Sequence, residues 1–435
     1  MTEACKMEMT PDQAAMLRGE RGEIMQKIME TLVRYGEAFG AKRMVALDGP
    51  THSVSSYALI NIKPHLDMLE DFARRGIRTV MPFTCNPRPC DYDNILCDEE
   101  ENRVLREIFA LQPKHEEVLK QIGHMNERAY TCTPYMEEVG NVPKRGDMLA
   151  WAESSAVVYV NSVIGARTNR TSSLIDLFSA IVGATPLFGL LTDEGRKADW
   201  VVELKTGKLP RAHVLGSAIG MKVLDQVPYI KGLDRFLGCE LNGGARDYLK
   251  DMGSSTASNG AVPLYHVENL TPEAVDFGEA LVREKARVYV IDDAELERVR
   301  ASYPNMWKNA DGEPEMAFVG CPHSSYDQLC QWAKDIEAGL KRANGERLAV
   351  YTVFSAAQDV LERFKKSEFY PGLVAAGAYL TYICPLNYCM NPLSAKRNII
   401  TNSNKLRTYS HSRYLDDEDL LKIIVGEGGL RDEGV

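Results

Sequence analysis

From Leu174 onward, short apolar runs alternate with helical stretches of about ten residues or more, and this rhythm constrains the fold more than any other feature of the chain. Runs at 199–204, 287–291, 316–320, 348–354, 379–383 and 398–401 read as strands, and earlier ones at 43–47 and 78–83 join them. Helical periodicity marks 66–75, 99–125, 174–183 and 212–224, and an N-terminal helix that opens at Thr10-Pro11 and breaks near Gly40. Further caps are Thr271 before Pro272, Ser324 or Ser325, Ser355, and a last helix start near Asp416. The run 253–267 reads as a small-residue turn joined to an apolar strand. Parallel strands need helical crossovers of this length, so the predicted class is α/β with mostly parallel sheets. There is no internal repeat and no low-complexity segment.

A chain of 435 residues exceeds one ordinary core, and two or three subdomains are expected, at about 1–150, 151–285 and 286–435. A formal net charge of −10 argues against nucleic acid and anionic membrane surfaces as partners. No apolar run is long enough to span a bilayer, and MTEACKMEMTPDQ lacks a secretory pattern, so a cytoplasmic protein is expected. In that compartment ten cysteines point to thiols, metal or iron–sulfur ligation rather than structural disulfides.

Chemistry-bearing residues concentrate between Tyr130 and Arg170. TCTPY places Cys132 in a Pro-bounded turn, and WAESSAVVYVNSVIGARTNR puts Glu153, Ser154, Ser155 and Asn161 on an apolar helix that ends in a donor-rich turn. Buried polar groups need partners, and a substrate or a cluster can be one. Glu153 is a candidate acid–base or supporting group, or the partner of an ion pair with Arg167. Arg167 and Arg170 suit a carboxylate or phosphate, or compensate a helix C-terminus. Two more polar loops, DGPTHSVSS (48–56) and TCNPRPCDYDN (84–94), stand at predicted strand ends, where open α/β sheets place ligands. Cys85 and Cys90 flank the second and read as structural thiols before a redox pair.

Three cysteines share a local grammar: Cys132 precedes Thr-Pro, Cys321 precedes Pro-His, and Cys384 precedes Pro-Leu, the last two directly after predicted strands. Three thiolates gathered at strand ends can hold an iron–sulfur cluster with one open iron position. On spacing alone, buried structural thiols are the weightier reading, since free Cys is among the most buried residue types. His323 beside Cys321 reads equally as a ligand-orienting group or a core histidine.

Together TCTPY, WAESSAVVYVNSVIGARTNR, GCPH and the closing CP…TNS pattern resemble the aconitase X family in its large-subunit form, and the likeness covers nearly the whole chain, through MLRGERG, LDMLEDFARRG, NGAVPLYHVENLTPEA and TNSNK. The resemblance implies an aconitase-like, multi-domain α/β/α architecture around a central cleft and a hydro-lyase (dehydratase) activity. It implies an iron–sulfur cluster, two-iron or four-iron, on Cys132, Cys321 and Cys384. It further implies a small 3-hydroxy carboxylate as substrate, with cis-3-hydroxy-L-proline preferred slightly over mevalonate 5-phosphate. Ser53, Ser55, Asn86, Glu153, Ser154 and His323 are then expected at the reacting centre. Asn161, Arg167, Thr168, Asn169, Arg170, Ser258 and Ser403 are expected to bind substrate. Aconitase-superfamily enzymes carry a small swivelling domain, which is expected here as a separate small-subunit partner that could hold the catalytic base. The chain departs from the family pattern at HSVSSY, at Cys85 and Arg88 around Asn86, and over Asn387 to Lys396, where Cys389 lies close to Cys384; these changes bear on the substrate more than on the reaction class. Two alternatives stand beside the cluster: a single metal on the same cysteines, and a catalytically silent scaffold subunit.

Overall fold

The structure, a computed structural model, describes residues 7–55, 63–391 and 396–429. Two all-parallel sheets organise it. One has four strands, in the order His266–Val267, Pro228–Lys231, Ala198–Leu204, Val282–Ile291; the other has five, Ala378–Thr381, Tyr351–Ala356, Met316–Ser324, Ile399–Thr401, Arg413–Tyr414. The α/β, mostly parallel expectation therefore holds.

The central strand Met316–Ser324 shows why the second sheet is layered on both faces. All nine of its residues are buried. Met316 and Phe318 pack with Tyr388, Cys389 and Leu406 on one side. Ala317 and Val319 pack with Leu329, Ile336 and Ile424 on the other. A parallel strand covered on both faces reads as a continuous apolar run rather than an alternating one. The helix Tyr326–Ala343 follows it, started by a capping box in which Ser325 and Gln328 exchange side-chain and backbone hydrogen bonds.

Several expectations change. The N-terminal helix is two, Pro11–Leu17 under a Thr10–Gln13 capping box and Glu23–Ala38, because the chain turns through Gly19 and Gly22, both at positive φ. Residues 78–83 form no strand: Pro82 lacks an N–H and Val80 is exposed, so pairing starts only with the Phe83–His124 bridge. Gly253 to Asn259 is not a turn but the end of the helix Gly243–Asn259. Its small residues let it lie directly on the helix Ala212–Val223, where a Cβ on Gly216 would stand 2.2 Å from the Met252 carbonyl oxygen. Ser355 belongs to the strand Tyr351–Ala356, and the next helix opens at Gln358. The strand predicted over 316–320 continues through Cys321, which thus lies within it. The loop over 48–56 is described as far as Ser55, and the 387–396 segment except at 392–395.

Among the described residues no helix is long and apolar enough to cross a membrane.

Candidate active site

A ribbon of parallel pairings gathers the polar loops. His52–Ser53 pairs with Thr84–Cys85, Trp151 bridges to both His52 and Arg170, Cys85 bridges to Tyr130, and Arg88 bridges to Ile383. Chains in parallel register leave at the same edge, so the Ser53–Ser55, Asn86, Cys132, Glu153 and Cys384 loops emerge together.

At that edge lies a lysine that the sequence reading did not single out. Lys405 is buried, and its ammonium donates to Glu153 Oε1 and to Ser155 Oγ, each at 3.2 Å. Burial works to lower its pKa, but Glu153, Cys321, Cys132 and Cys384 act together in the opposite sense and hold it above the usual lysine range. Burial likewise pushes the Cys132 thiol up to about 12 and raises Cys321 and Cys384, with Lys405 opposing it in all three. Lys405 is thus the shared positive neighbour that acts on all three thiols. Burial also works to raise Glu153, and Lys405, His52 and Arg170 outweigh it, so this carboxylate is held ionised below its ordinary range. Among the described residues no group of three or more His, Cys, Asp or Glu side chains is arranged to hold a single metal ion.

The backbone places these groups. Ser403 caps the helix Asn404–Tyr409, accepting from Leu406 N at 3.1 Å, and its hydroxyl donates to the Cys321 carbonyl, which docks Lys405 beside that cysteine. Glu153 is the N-cap position of the helix Ser154–Tyr159, with Ser154 and Ser155 in its first turn. That helix passes into a π-helical turn, Val160–Ile164, which carries Asn161. Single π turns recur at functional sites. His323 is buried: its Nδ1 lies 2.9 Å from Thr131 Oγ1 and its Nε2 3.0 Å from the Ile383 carbonyl. A carbonyl can only accept, so Nε2 carries the proton and Nδ1 accepts from the threonine. Burial lowers the imidazole pKa to about 4, which keeps the ring neutral at pH 7.

The remaining predicted residues fall into two groups. Ser53 donates to Asp176 Oδ1 at 3.1 Å and hydrogen-bonds Ser55, both serines being buried; Asn86 is buried beside them, its N–H donating to Ser53 O at 3.1 Å. Burial raises Asp176 well above the ordinary carboxylate range. The second group is tied into packing. Asn161 is saturated, giving Nδ2 to Thr168 O and Pro263 O and accepting at Oδ1 from Thr168 N and Arg196 Nη1. Thr168 accepts from Trp151 N and donates to Asn169 O; Asn169 binds Phe188 O and Leu190 N. Arg167 pairs with Asp193 at 2.6 Å and lies 3.6 Å from Glu273, so the ion-pair partner of Glu153 is Lys405 rather than Arg167. Arg170 is exposed and acts on Glu153 through space. Ser258 bonds back to Ser255 O at 3.2 Å, next to Asn259, which contacts Asn404. Cys85 is buried beside Asp176, Cys90 faces Cys97, and Cys389 packs with Phe318 and Ile399.

Lys405, His52 and Asp176 are what sequence reasoning missed, and Ser155 was read only as one of the helix's polar groups. Asp176 had a readable signal, as the only charged residue in the apolar helix Ser173–Val182. Lys405 had a fainter one, a lone cation closing the neutral polar run TNSNK at a strand end.

Comparison with known proteins agrees with this geometry. Residues 6–194 match the aconitase X first domain and residues 198–301 the aconitase X second domain. The phosphomevalonate dehydratase large subunit of Thermococcus kodakarensis is 33% identical over 426 residues, covering 96% of this chain and 99% of that protein. The cis-3-hydroxy-L-proline dehydratase of Pseudomonas aeruginosa is 28% identical over 407 residues, covering 91% of this chain and 65% of that protein. The crystal structure of Thermococcus kodakaraensis aconitase X in its holo form superposes with a TM-score of 0.79 at 30% identity, covering 96% of this chain and all of that one. With its parallel sheets and these likenesses in both sequence and structure, the chain belongs to the aconitase X family of hydro-lyases.

Proposed function

We propose that this chain is the large subunit of an iron–sulfur dehydratase that removes water from mevalonate 5-phosphate, working with a separate small subunit. The observation that carries the reading is the convergence of Cys132, Cys321 and Cys384 on the buried Lys405–Glu153 pair. Three thiols beside a buried cation, Cys132 and Cys321 buried and Cys384 half-buried, are a donor set that accepts iron as thiolates, and a cluster spreads its ligands wider than a single ion does. Bound there, the cluster supplies a Lewis acid for a leaving hydroxyl at its open position. The substrate preference reverses the one drawn from sequence. Identity is higher to the phosphomevalonate dehydratase large subunit, 33%, than to the cis-3-hydroxy-L-proline dehydratase, 28%. The large-subunit name of that relative also supports the separate partner.

The chain's own residues then divide the work. Lys405 and Arg170 supply positive charge for the carboxylate and phosphate of a strongly anionic substrate, inside a chain of net charge −10. Glu153, held ionised below its ordinary range, is a poor proton acceptor; it fixes the Lys405 ammonium. The base that removes the α-proton is therefore assigned to the small subunit. Ser53, Ser55 and Asn86 line the same edge with hydroxyl and amide groups for the substrate.

The test is anaerobic purification of the chain with its small subunit, followed by iron and sulfide analysis, an absorption spectrum, and assays on mevalonate 5-phosphate and cis-3-hydroxy-L-proline. Iron and sulfide are expected in the native chain and in Cys330→Ala, and are expected to be lost in Cys132→Ala, Cys321→Ala and Cys384→Ala. Turnover is expected only with mevalonate 5-phosphate. Absence of iron under strictly anaerobic handling overturns the cofactor and returns the silent-subunit alternative; turnover of cis-3-hydroxy-L-proline alone overturns the substrate.

A further inference from the structure

We propose that His323 is a positioning residue, a clasp that holds the three cysteine-bearing segments in one arrangement, and that it takes no part in proton transfer; the proposal rests on the cluster reading above. The geometry is specific. Cys132, Cys321 and Cys384 come from a turn, a strand and a helix N-cap that are nearly 200 and then about 60 residues apart in sequence. One side chain meets all three places. Its Nδ1 accepts from Thr131, the residue before Cys132, and its Nε2 donates to the carbonyl of Ile383, the residue before Cys384. His323 itself stands two residues after Cys321, and its backbone N–H donates to Cys132 Sγ at 3.3 Å. From outside, Lys250 Nζ donates to the His323 carbonyl at 3.2 Å and so fixes its backbone.

Both ring nitrogens are occupied at ordinary hydrogen-bond distances and the ring is buried, so no lone pair is left to accept a substrate proton. Hydrogen bonds to the segments that carry ligands set their orientation, and an N–H donated to a thiolate sulfur stabilises its charge. Thr131 extends the clasp, since its Oγ1 also lies 3.0 Å from Thr133 Oγ1 and accepts from Thr133 N at 3.1 Å, which closes the turn around Cys132.

The test uses the full chain, reconstituted anaerobically with ferrous iron and sulfide, as native protein and as His323→Ala, His323→Gln and Thr131→Val. Circular dichroism checks that each variant folds. His323→Ala is expected to release iron to a chelator on the order of 10- to 100-fold faster than the native chain, with a shifted absorption spectrum. His323→Gln keeps a donor for Ile383 and is expected to fall between the two; Thr131→Val removes one bond and is expected to give the mildest change. Folded His323→Ala with native iron release and spectrum overturns the proposal. A native chain that takes up no iron and sulfide sinks the cluster reading alone, because the clasp is then read on the thiols themselves. In that case, alkylation of Cys132 and Cys384, measured against exposed Cys239, is expected to be about tenfold faster in His323→Ala. Unchanged alkylation rates overturn the clasp.

Discussion

Two buried ion pairs in this molecule carry opposite lessons. Arg196 and Glu273 are 1% and 8% exposed, and every guanidinium nitrogen is engaged: Nε reaches both Glu273 oxygens at 2.7 and 2.9 Å, Nη1 reaches Asn161 Oδ1 and Leu190 O, and Nη2 reaches Asn161 O. Lys405 and Glu153 are 5% and 12% exposed, yet among the described residues the ammonium has two oxygen partners, both at 3.2 Å, and three thiols as its further electrostatic neighbours. A guanidinium with every nitrogen engaged fixes loops, whereas the fewer and longer contacts of the ammonium tie down less of the chain. The Arg196 network ties together the GARTNR turn and the helix Pro272–Phe277, and so builds the wall of the site, whereas Lys405 belongs to its floor.

Removing a partner from each pair breaks the comparison most directly. Arg196→Met leaves Glu273 buried with only Arg167 at 3.6 Å and His266 at 3.8 Å. The expected loss is about 3–5 kcal/mol of unfolding free energy in denaturant titrations, the cost of an uncompensated buried charge. Lys405→Met is expected to do less to stability, because Glu153 lies at the open edge, and more to function. Turnover with the small subunit present is expected to fall on the order of 100- to 1,000-fold, as when a charge aimed at a reacting group is removed. A Lys405→Met chain that turns over normally but unfolds as readily as Arg196→Met makes the two pairs equivalent and ends the distinction.

A third buried charge sharpens the point by its sign. Among the described residues Asp176 has no cation beside it and its Oδ2 has no hydrogen-bond partner; Ser53 is its side-chain donor. Burial raises its folded pKa well above the ordinary value, so between those two values the native state holds a proton that the unfolded chain has released. Stability attributable to this group is therefore greatest below the ordinary carboxylate range and falls as pH rises. Asp176→Asn is expected to be more stable than the native chain at pH 7, with the advantage shrinking toward pH 4 in urea titrations. An advantage that grows toward low pH instead shows Asp176 ionised in the fold.

How much of this was legible in the sequence follows from what each signal depends on. The parallel α/β class, the Thr10 cap and the Ser325 start are local or periodic features, and the structure keeps them. The three cysteines were visible as a shared grammar, but only the family resemblance implied that they share a site, since that depends on how three distant segments dock. Gly253–Asn259 misled because small polar residues mark turns in general, whereas here they permit close helix contact that only a partner helix reveals. Asn161, Thr168 and Asn169 looked like ligand donors because their side chains are polar in an apolar context; the structure shows each bound to backbone. Lys405 was hidden for the converse reason. A lysine in a polar loop is ordinarily solvated, and nothing local announces that a glutamate some 250 residues away will bury it.

The smallest effect tests the floor of the site most finely. Ser155 gives Lys405 its second oxygen, and it sits in the first turn of a short helix whose backbone does not need its hydroxyl as a cap. Ser155→Ala removes one charge-assisted hydrogen bond, worth about 1.5–3 kcal/mol. If that bond serves only packing, the loss appears as a lower denaturation midpoint and turnover is untouched. If Lys405 is held for chemistry, the ammonium instead turns toward Glu153. Stability then stays within about 0.5 kcal/mol of native, as for a change that strands no buried group, and turnover drops by about 10- to 100-fold, the rate equivalent of the same bond. Measuring both on one preparation separates a structural lysine from a working one, because the same hydrogen bond is counted in the ground state in the first case and in the rate in the second.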